Sequence, residues 1–438
     1  MGIRWKERGL FELYGDDPER ADALLFNRRG VLRGAAMASM GALLGGMIPF
    51  GRSLPSGLIP AALAQGSGAG PKILKMDGKA ELVILGDRPL VAETPEHLLD
   101  DSVTPNDRIF IRNNGNPPEQ MPADLDSWEL VIDGEVNTPL KLTLGELKKR
   151  FKHYTYVLQM ECGGNGRAAF EPKASGNQWS NGAIACARWT GVRLKDVLEA
   201  AGLKPTAVYT AHFGRDVHLT GDPSRQAISR GMPIAKALEP HTLIAFAVNG
   251  GPIPLVNGAP LRLIVPGWPG SLSQKWLSRI WIRDREHDGQ GMTGTSYRVP
   301  IKPMVPGDKP DNANFRILES MPVRSIITNI AHGTELKAGT RLVGMRGHAW
   351  AGEQTVNAVH VSADFGQTWT KAKVAKAVNK YAWQDWQADI TLPTEGYYEL
   401  WTRATDSFGR AQGHAPGVWN PQGYGGNALH RVAVLVKA

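Results

Sequence analysis

Fifty glycines and thirty prolines punctuate this chain of 438 residues, and the apolar runs between them are short. Glycine opposes regular elements through its backbone entropy, and proline through its missing N–H. The chain is therefore expected to be built of short strands, turns and loops rather than long helices. Its length exceeds what one hydrophobic core usually serves, so two domains are expected. The composition, 42% hydrophobic and 21% charged, is ordinary for a globular protein.

Residues from about Leu82 to Ser102 read as irregular. Trp128 to Val136 alternates apolar and polar residues, a strand pattern, and a helical pattern runs from Leu142 to Phe151 after Thr143. Val192 to Ala201 predicts a second short helix, with Leu194, Val197 and Leu198 at helical spacing. Leu243 to Val248 and Leu261 to Val265 are apolar runs between glycines and prolines, as in buried strands. These features predict an α+β domain. Tyr297 to Pro310, with Pro300, Pro303, Pro306 and Pro310, reads as a linker. Beyond it come seven short strand signals: Ser325–Thr328, Arg341–Ala349, Val356–Ser362, Thr368–Ala372, Trp386–Thr391, Glu399–Asp406 and His430–Val436. Seven such strands predict an all-β, immunoglobulin-like sandwich. Asp364-Phe365-Gly366 copies a kinase motif, but it lies between strands and no His-Arg-Asp loop accompanies it, so a hairpin turn is expected.

The first 64 residues read as an export signal. Asn27-Arg28-Arg29-Gly30-Val31-Leu32-Arg33 holds a twin arginine, a Gly/Ala-rich apolar run follows from Gly34 to Phe50, and Ala62-Leu63-Ala64 offers a cleavage site. The run is short of the ~20 residues that span a bilayer, so no membrane span is expected. Twin-arginine export carries folded proteins to the periplasm, which suits a protein that acquires a cofactor before leaving the cytoplasm. The expected division is 1–64 signal peptide, 65–310 catalytic domain and 311–438 sandwich. The formal charge of +8 is modest, and neither a basic stripe nor zinc-finger spacing points to nucleic acid.

One of only two cysteines sits in a glycine-rich turn, Glu161-Cys162-Gly163-Gly164-Asn165-Gly166-Arg167, after a strand-like run from Tyr154 to Met160. A thiolate there would be a nucleophile or a soft-metal ligand on closely approachable backbone. A buried core cysteine is the plainer alternative. The second cysteine, Cys186, lies in an alternating apolar run and reads as core, although a disulfide to Cys162 is the other reading for an exported chain. Two cysteines at this spacing exclude a Cys-x-x-Cys-His heme site and a four-cysteine iron–sulfur cluster. Any electrons this chain collects must leave through another protein.

Around that turn lie Phe110-Ile111-Arg112-Asn113-Asn114, Trp179-Ser180-Asn181-Gly182, Arg188-Trp189-Thr190-Gly191, Leu261-Arg262-Leu263-Ile264-Val265-Pro266-Gly267 and Lys275-Trp276-Leu277. In this order and spacing the set resembles the sulfite oxidase family of molybdenum enzymes, from about Arg108 to the C-terminus. Within it, the turn and the loop Asp284-Arg285-Glu286-His287-Asp288-Gly289 look closest to the molybdenum subunits of sulfane dehydrogenases of the sulfur-oxidising Sox system. The resemblance implies a molybdopterin-binding domain followed by an immunoglobulin-like dimerisation domain. It implies Cys162 as the single protein ligand of molybdenum, with Arg112, Arg167 and Tyr297 lining the catalytic pocket. It implies molybdopterin held by Phe110, Ile111, Arg112, Asn113, Asn114, Asp216, Asn257, Arg262, Ser273, Gln274 and Lys275.

Three positions depart from the family pattern. Asn114 and Asn257 stand where the family usually has histidine, and Gln422, in Trp419-Asn420-Pro421-Gln422-Gly423, stands where sulfite oxidases carry a pocket arginine. A less cationic pocket suits sulfane sulfur on a carrier protein better than free sulfite. The resemblance further implies a homodimer through the C-terminal domain and a c-type cytochrome as electron acceptor, together a heterotetramer. Periplasmic sulfite dehydrogenase, sulfoxide reductase and non-catalytic assembly subunit are the competing readings. His287 is expected to be an exposed loop histidine, with a catalytic base as the alternative.

Overall fold

The computed structural model describes residues 71–438; the expected export signal and cleavage site lie outside the described residues. Strands β1 (Val83–Asp87), β2 (Leu90–Glu93) and β3 (Ile111–Arg112) form a small antiparallel sheet. The expectation of an irregular segment here was wrong. The two-residue turn at Arg88-Pro89 joins a hairpin whose proline masks the alternation.

Two larger sheets enclose the main core. One is ordered β5 (Leu140–Thr143), β4 (Glu129–Gly134), β12 (Leu277–Arg283), β8 (Tyr209–Gly214). The other runs β10 (Gly251–Pro252), β9 (Leu243–Val248), β7 (Ile184–Arg193), β6 (His153–Glu161), with β11 (Arg262–Ile264) also paired to β9. Helices α1 (Leu144–Arg150) and α2 (Leu194–Ala201) bury Leu144, Leu147, Leu194, Val197 and Leu198 in the same core as Leu130, Ile132, Ile244 and Leu263. Helix α1 starts at a capping box: the Thr143 hydroxyl accepts from the Glu146 N–H, and the Glu146 carboxylate accepts from the Thr143 N–H. A third helix, α3 (Ile234–Ala237), has one turn. The described helices are few and short, so this half is more strand-rich than α+β suggests.

The segment expected to be a linker is partly ordered as a strand. β13 (Arg298–Pro300) pairs with β14 (Phe315–Ile317). Beyond it, β15 (Arg324–Ile327), β17 (Leu342–Trp350), β21 (Gln384–Thr391) and β20 (Lys373–Val374) form one sheet. β16 (Thr334–Leu336), β23 (His430–Val436), β22 (Gly396–Asp406), β18 (Val356–Ser362) and β19 (Thr370–Lys371) form the second. The sheets share one core, with Val343, Met345 and Ile390 from the first and Val359, Val361, Leu400 and Val434 from the second. Short β16 and β20 join the seven expected strands. Asp364-Phe365-Gly366 is the turn between β18 and β19, with Phe365 and Gly366 at φ 58° and 82°.

By residue contact Lys72–Ala438 is one compact unit. The sandwich half reaches the outer edge of β6, where the Gln159 N–H donates to the Tyr381 carbonyl at 2.8 Å and the Asn379 amide donates to the Val157 carbonyl at 2.8 Å. Among the described residues no helix is long and apolar enough to cross a membrane.

Candidate active site

Strand β6 ends at Glu161, and the chain turns at once. The Cys162 N–H donates to the Ala183 carbonyl, the Asn165 N–H closes the turn onto the Cys162 carbonyl, and the Gly425 N–H, from the far end of the chain, donates to the Gly163 carbonyl, each at 2.9 Å. Gly166 adopts φ 79°, and a Cβ there would lie 2.5 Å from the Arg324 guanidinium, so only glycine fits. That guanidinium anchors the turn. It donates to the carbonyls of Asn165 and Gly426 at 2.7 and 2.5 Å and to the Asn181 side chain at 2.5 Å. Its Nε lies 3.6 Å from the buried Glu161 carboxylate. Glu161 also accepts from Asn165 and from the Trp350 indole, at 2.9 and 2.8 Å. Burial raises the Glu161 carboxyl above the usual carboxylate range, and Arg324 opposes the shift.

Cys162 forms part of the wall of a cavity that opens to solvent. Phe110, Arg112, Asn113, Asn114, Asp216, Asn257, Arg262, Ser273, Gln274, Lys275 and Tyr297 line it, with Met160, Ile228, Gly270, Ser271 and Trp276. Two of the anticipated residues are not in the lining. Ile111 points into an apolar cluster with Leu74, Leu82 and Ala92, because its β3 neighbour Arg112 takes the opposite face. Arg167 is folded back, donating to the carbonyls of Gln422 at 2.6 Å and Asn177 at 2.9 Å.

The floor is strongly cationic. Lys275 is held by the Asn113 side chain at 2.5 Å and the Val256 carbonyl at 2.7 Å. Arg262 donates to the carbonyls of Asn257 and Ser273, at 2.5 and 3.0 Å. Burial lowers both, Arg262 to about 9 and Lys275 well below the ordinary lysine value. Behind them Lys79 donates to Asn257 Oδ1 at 2.7 Å, and burial takes it down to about 8. Asp216 is the one carboxylate in the lining, and burial raises it to about 6. The Nε of Arg262 and the Oε1 of Gln274 have no hydrogen-bond partner. Surplus buried cations, one of them with an unpartnered N–H at Arg262 Nε, fit a phosphate-bearing group, and the same cavity holds a soft thiol for a metal.

Two residues packed against the cavity lining, though not part of it, were not anticipated. Tyr424 stacks on Tyr297, ring centroids 4.7 Å apart and planes 20° apart, and both rings lie over Gly163. Arg230 sits over the other face of Tyr297, 4.4 Å from its centroid, as Arg167 does over Tyr424 at 5.3 Å. Arg230 is 1% exposed, its Nε has no partner, and among the described residues its one side-chain hydrogen bond is to the Ser271 hydroxyl at 3.2 Å. It makes no ion pair among the described residues. Burial lowers it to about 10. A cation–π contact returns about 0.5–2 kcal/mol, less than the several kcal/mol that burying a charge costs. Gln422 does not reach the cavity; its side chain donates to Thr295 Oγ1 at 3.1 Å.

His287 is buried rather than exposed, a correction. Its Nδ1 accepts from Arg283 at 2.8 Å, and its Nε2 lies 2.9 Å from the Ser229 hydroxyl, which itself donates to the His212 carbonyl. Nε2 is therefore the protonated nitrogen, and neither nitrogen is left to act as a base. Burial lowers His287 to about 4. Since the unfolded value is near 6.5, folding stability present above that pH is lost as pH falls toward 4. We expect wild type to lose stability relative to a His287→Gln variant as pH drops from 7 to 5, approaching about 1.4 kcal/mol per pH unit. Chemical denaturation of both proteins across that range checks this, and parallel curves would contradict it. Both cysteines are free, and Cys186 is fully buried and raised to about 12, the expected core thiol.

Comparison with known proteins matches this geometry. Residues 116–291 match the oxidoreductase molybdopterin binding domain, and residues 316–437 match the Mo-co oxidoreductase dimerisation domain. Chicken sulfite oxidase is 31% identical over 362 residues, covering 80% of this chain and 77% of that protein. The chain belongs to the sulfite oxidase family. Rat mitochondrial sulfite oxidase is 32% identical over 373 residues, 81% of this chain; the match spans only 66% of the rat protein's length. The crystal structure of the sulfane dehydrogenase SoxCD from Paracoccus pantotrophus has the same fold, with a TM-score of 0.66, 24% identity, and coverage of 88% of this chain and 94% of that one. As a member of this family the protein carries a molybdopterin-binding domain and a dimerisation domain.

Proposed function

We propose that this chain is the molybdenum subunit that oxidises sulfane sulfur held on a carrier protein, in the periplasm after twin-arginine export, and hands the electrons to a c-type cytochrome. The observation that carries the reading is Gln422. It stands where the resemblance expects a pocket arginine, and its side chain is spent on Thr295. In this reading Cys162 would be the protein's thiolate ligand, and Lys275, Arg262, Asn257 and Gln274 would hold the pterin phosphate. The bound molybdenum–pterin group supplies the two-electron redox change through which oxygen from water is added to sulfur. Arg112 orients the reacting group through its guanidinium fork. Tyr297 and Tyr424 cover the thiol turn and limit water around it. Dimerisation occurs through the sandwich half, and the cytochrome binds as a separate subunit.

Sulfite oxidation is the second reading, and the identity to chicken and rat sulfite oxidases favours it. Steady-state kinetics of the holoprotein with a c-type cytochrome, on sulfite and on a persulfidated carrier protein, separate the two. The carrier is expected to show kcat/KM at least about tenfold higher, a difference of ~1.4 kcal/mol. Equal or faster use of sulfite replaces the first reading by the second.

A further inference from the structure

We propose that Arg230 is the cation that receives the oxyanion of the substrate or product, taking over the part of the arginine absent at Gln422. The inference rests on the sulfur-oxidation reading and adds a specificity-determining residue to it. The ligand class is a sulfur oxyanion: sulfite or sulfate when free, or the sulfonate end of carrier-bound sulfur.

Arg230 is placed with unusual strictness. Its carbonyl accepts from the His212 N–H at 2.7 Å, and the following Gly231 has no room for a side chain, since a Cβ would lie 1.9 Å from the Thr210 carbonyl. The preceding Ser229 is fixed by the His212 carbonyl and His287. The main chain is fixed here, and it carries a guanidinium that is almost fully buried, with its Nε unpartnered and no carboxylate paired to it, a donor set suited to an anion. Its direct neighbours Ser271 and Tyr297 both line the cavity that contains Cys162. The Tyr297 and Tyr424 rings separate Arg230 from Arg167, and Arg167 is already committed to two carbonyls. Of these two arginines, Arg230 is the one whose Nε is unpartnered and which donates to no carbonyl.

The test uses holoprotein, so that the phosphate cradle is filled, and sodium sulfate as probe against sodium chloride at equal ionic strength. Wild type should bind sulfate saturably, seen by calorimetry and as a rising Tm. Arg230→Gln should weaken that binding about tenfold to a hundredfold, the loss of one charge-assisted hydrogen bond. Its sulfate-free Tm should equal or exceed that of wild type, because an unpaired buried charge has gone. Arg230→Lys, which keeps the charge, should recover part of the affinity. Unchanged sulfate affinity in Arg230→Gln, a Tm several degrees below wild type, or equal loss in the Gln and Lys variants each overturns the assignment. Kinetics on sulfite and on persulfidated carrier identify the source of the oxyanion through which KM rises. If sulfate binding behaves as stated while neither compound is oxidised, the functional reading fails and Arg230 stands. If turnover proceeds with an unchanged KM in Arg230→Gln, the functional reading stands and Arg230 fails.

Discussion

Cys162→Ser is expected to abolish turnover while leaving the fold in place. The substitution exchanges one atom at a site whose main chain is held independently, by the Ala183 carbonyl, the Asn165 N–H and, one residue on, the Gly425 N–H. None of those bonds involves sulfur. Cys162 is 7% exposed and sits where an apolar cluster borders the cavity, and the exchange leaves no cavity of its own, so the expected stability change is about 1 kcal/mol. The chemical change is larger. A serine hydroxyl is a hard donor that keeps its proton at neutral pH, a poor substitute for a thiolate at a soft centre. Removing an outer partner of a metal ligand already costs ten- to a hundredfold, so loss of the ligand itself should exceed about a hundredfold. Molybdenum analysis, circular dichroism and single-turnover kinetics on one preparation check it, and turnover retained with bound molybdenum would refute the ligand assignment. Cys186→Ala, in the core, should cost on the order of 1 kcal/mol and leave activity alone.

Arg324→Met is expected to destabilise the protein by about 3–5 kcal/mol. The guanidinium is 1% exposed and faces the Glu161 carboxylate across the boundary between the two halves of the fold. Its loss strands a buried carboxylate and strips a donor from the Asn165 and Gly426 carbonyls. The effect carries a pH signature. Burial already raises Glu161, and without Arg324 it climbs further. A carboxyl raised in the folded state favours folding below its unfolded value and loses that contribution as pH rises through the folded one. The variant should therefore be more impaired at pH 8 than at pH 5. Urea unfolding at both values decides the matter, and a cost under about 1 kcal/mol at each would dismiss the ion pair as a clamp. Adding Glu161→Gln to the variant should recover part of the loss.

What could be read from the chain beforehand was local. The Thr143–Glu146 box announces α1 because both partners lie within one turn. Strands β9, β18 and β23 end where apolar runs meet glycine, proline or charge. The lining residues of the cavity were legible because their motifs keep order and spacing. Arg230 and Tyr424 were not, since their neighbours sit on remote segments and no pattern around Ser229-Arg230-Gly231 announces a buried cation. His287 was misread because Asp284, Arg285, Glu286 and Asp288 suggest a solvated loop, whereas Arg283 is folded beneath it. Asn257 carried half a signal: the histidine expected there is absent, but the lysine that reaches the asparagine, Lys79, comes from outside the recognisable stretch.

The outer edge of β6 has a consequence for how the polypeptide must be made. The strand that delivers Cys162 is the last in its sheet, and apart from a bridge of Glu161 to Pro269 its open side is covered by Asn379 and Tyr381, more than two hundred residues later in synthesis. Until those residues emerge, Val157 to Met160 present an apolar ribbon with unpaired backbone groups, a template for joining another copy. The C-terminal half is thus expected to shield the edge of this strand once it is made. A fragment ending near residue 316 should precipitate when expressed alone and stay soluble when residues 316–438 are supplied alongside it.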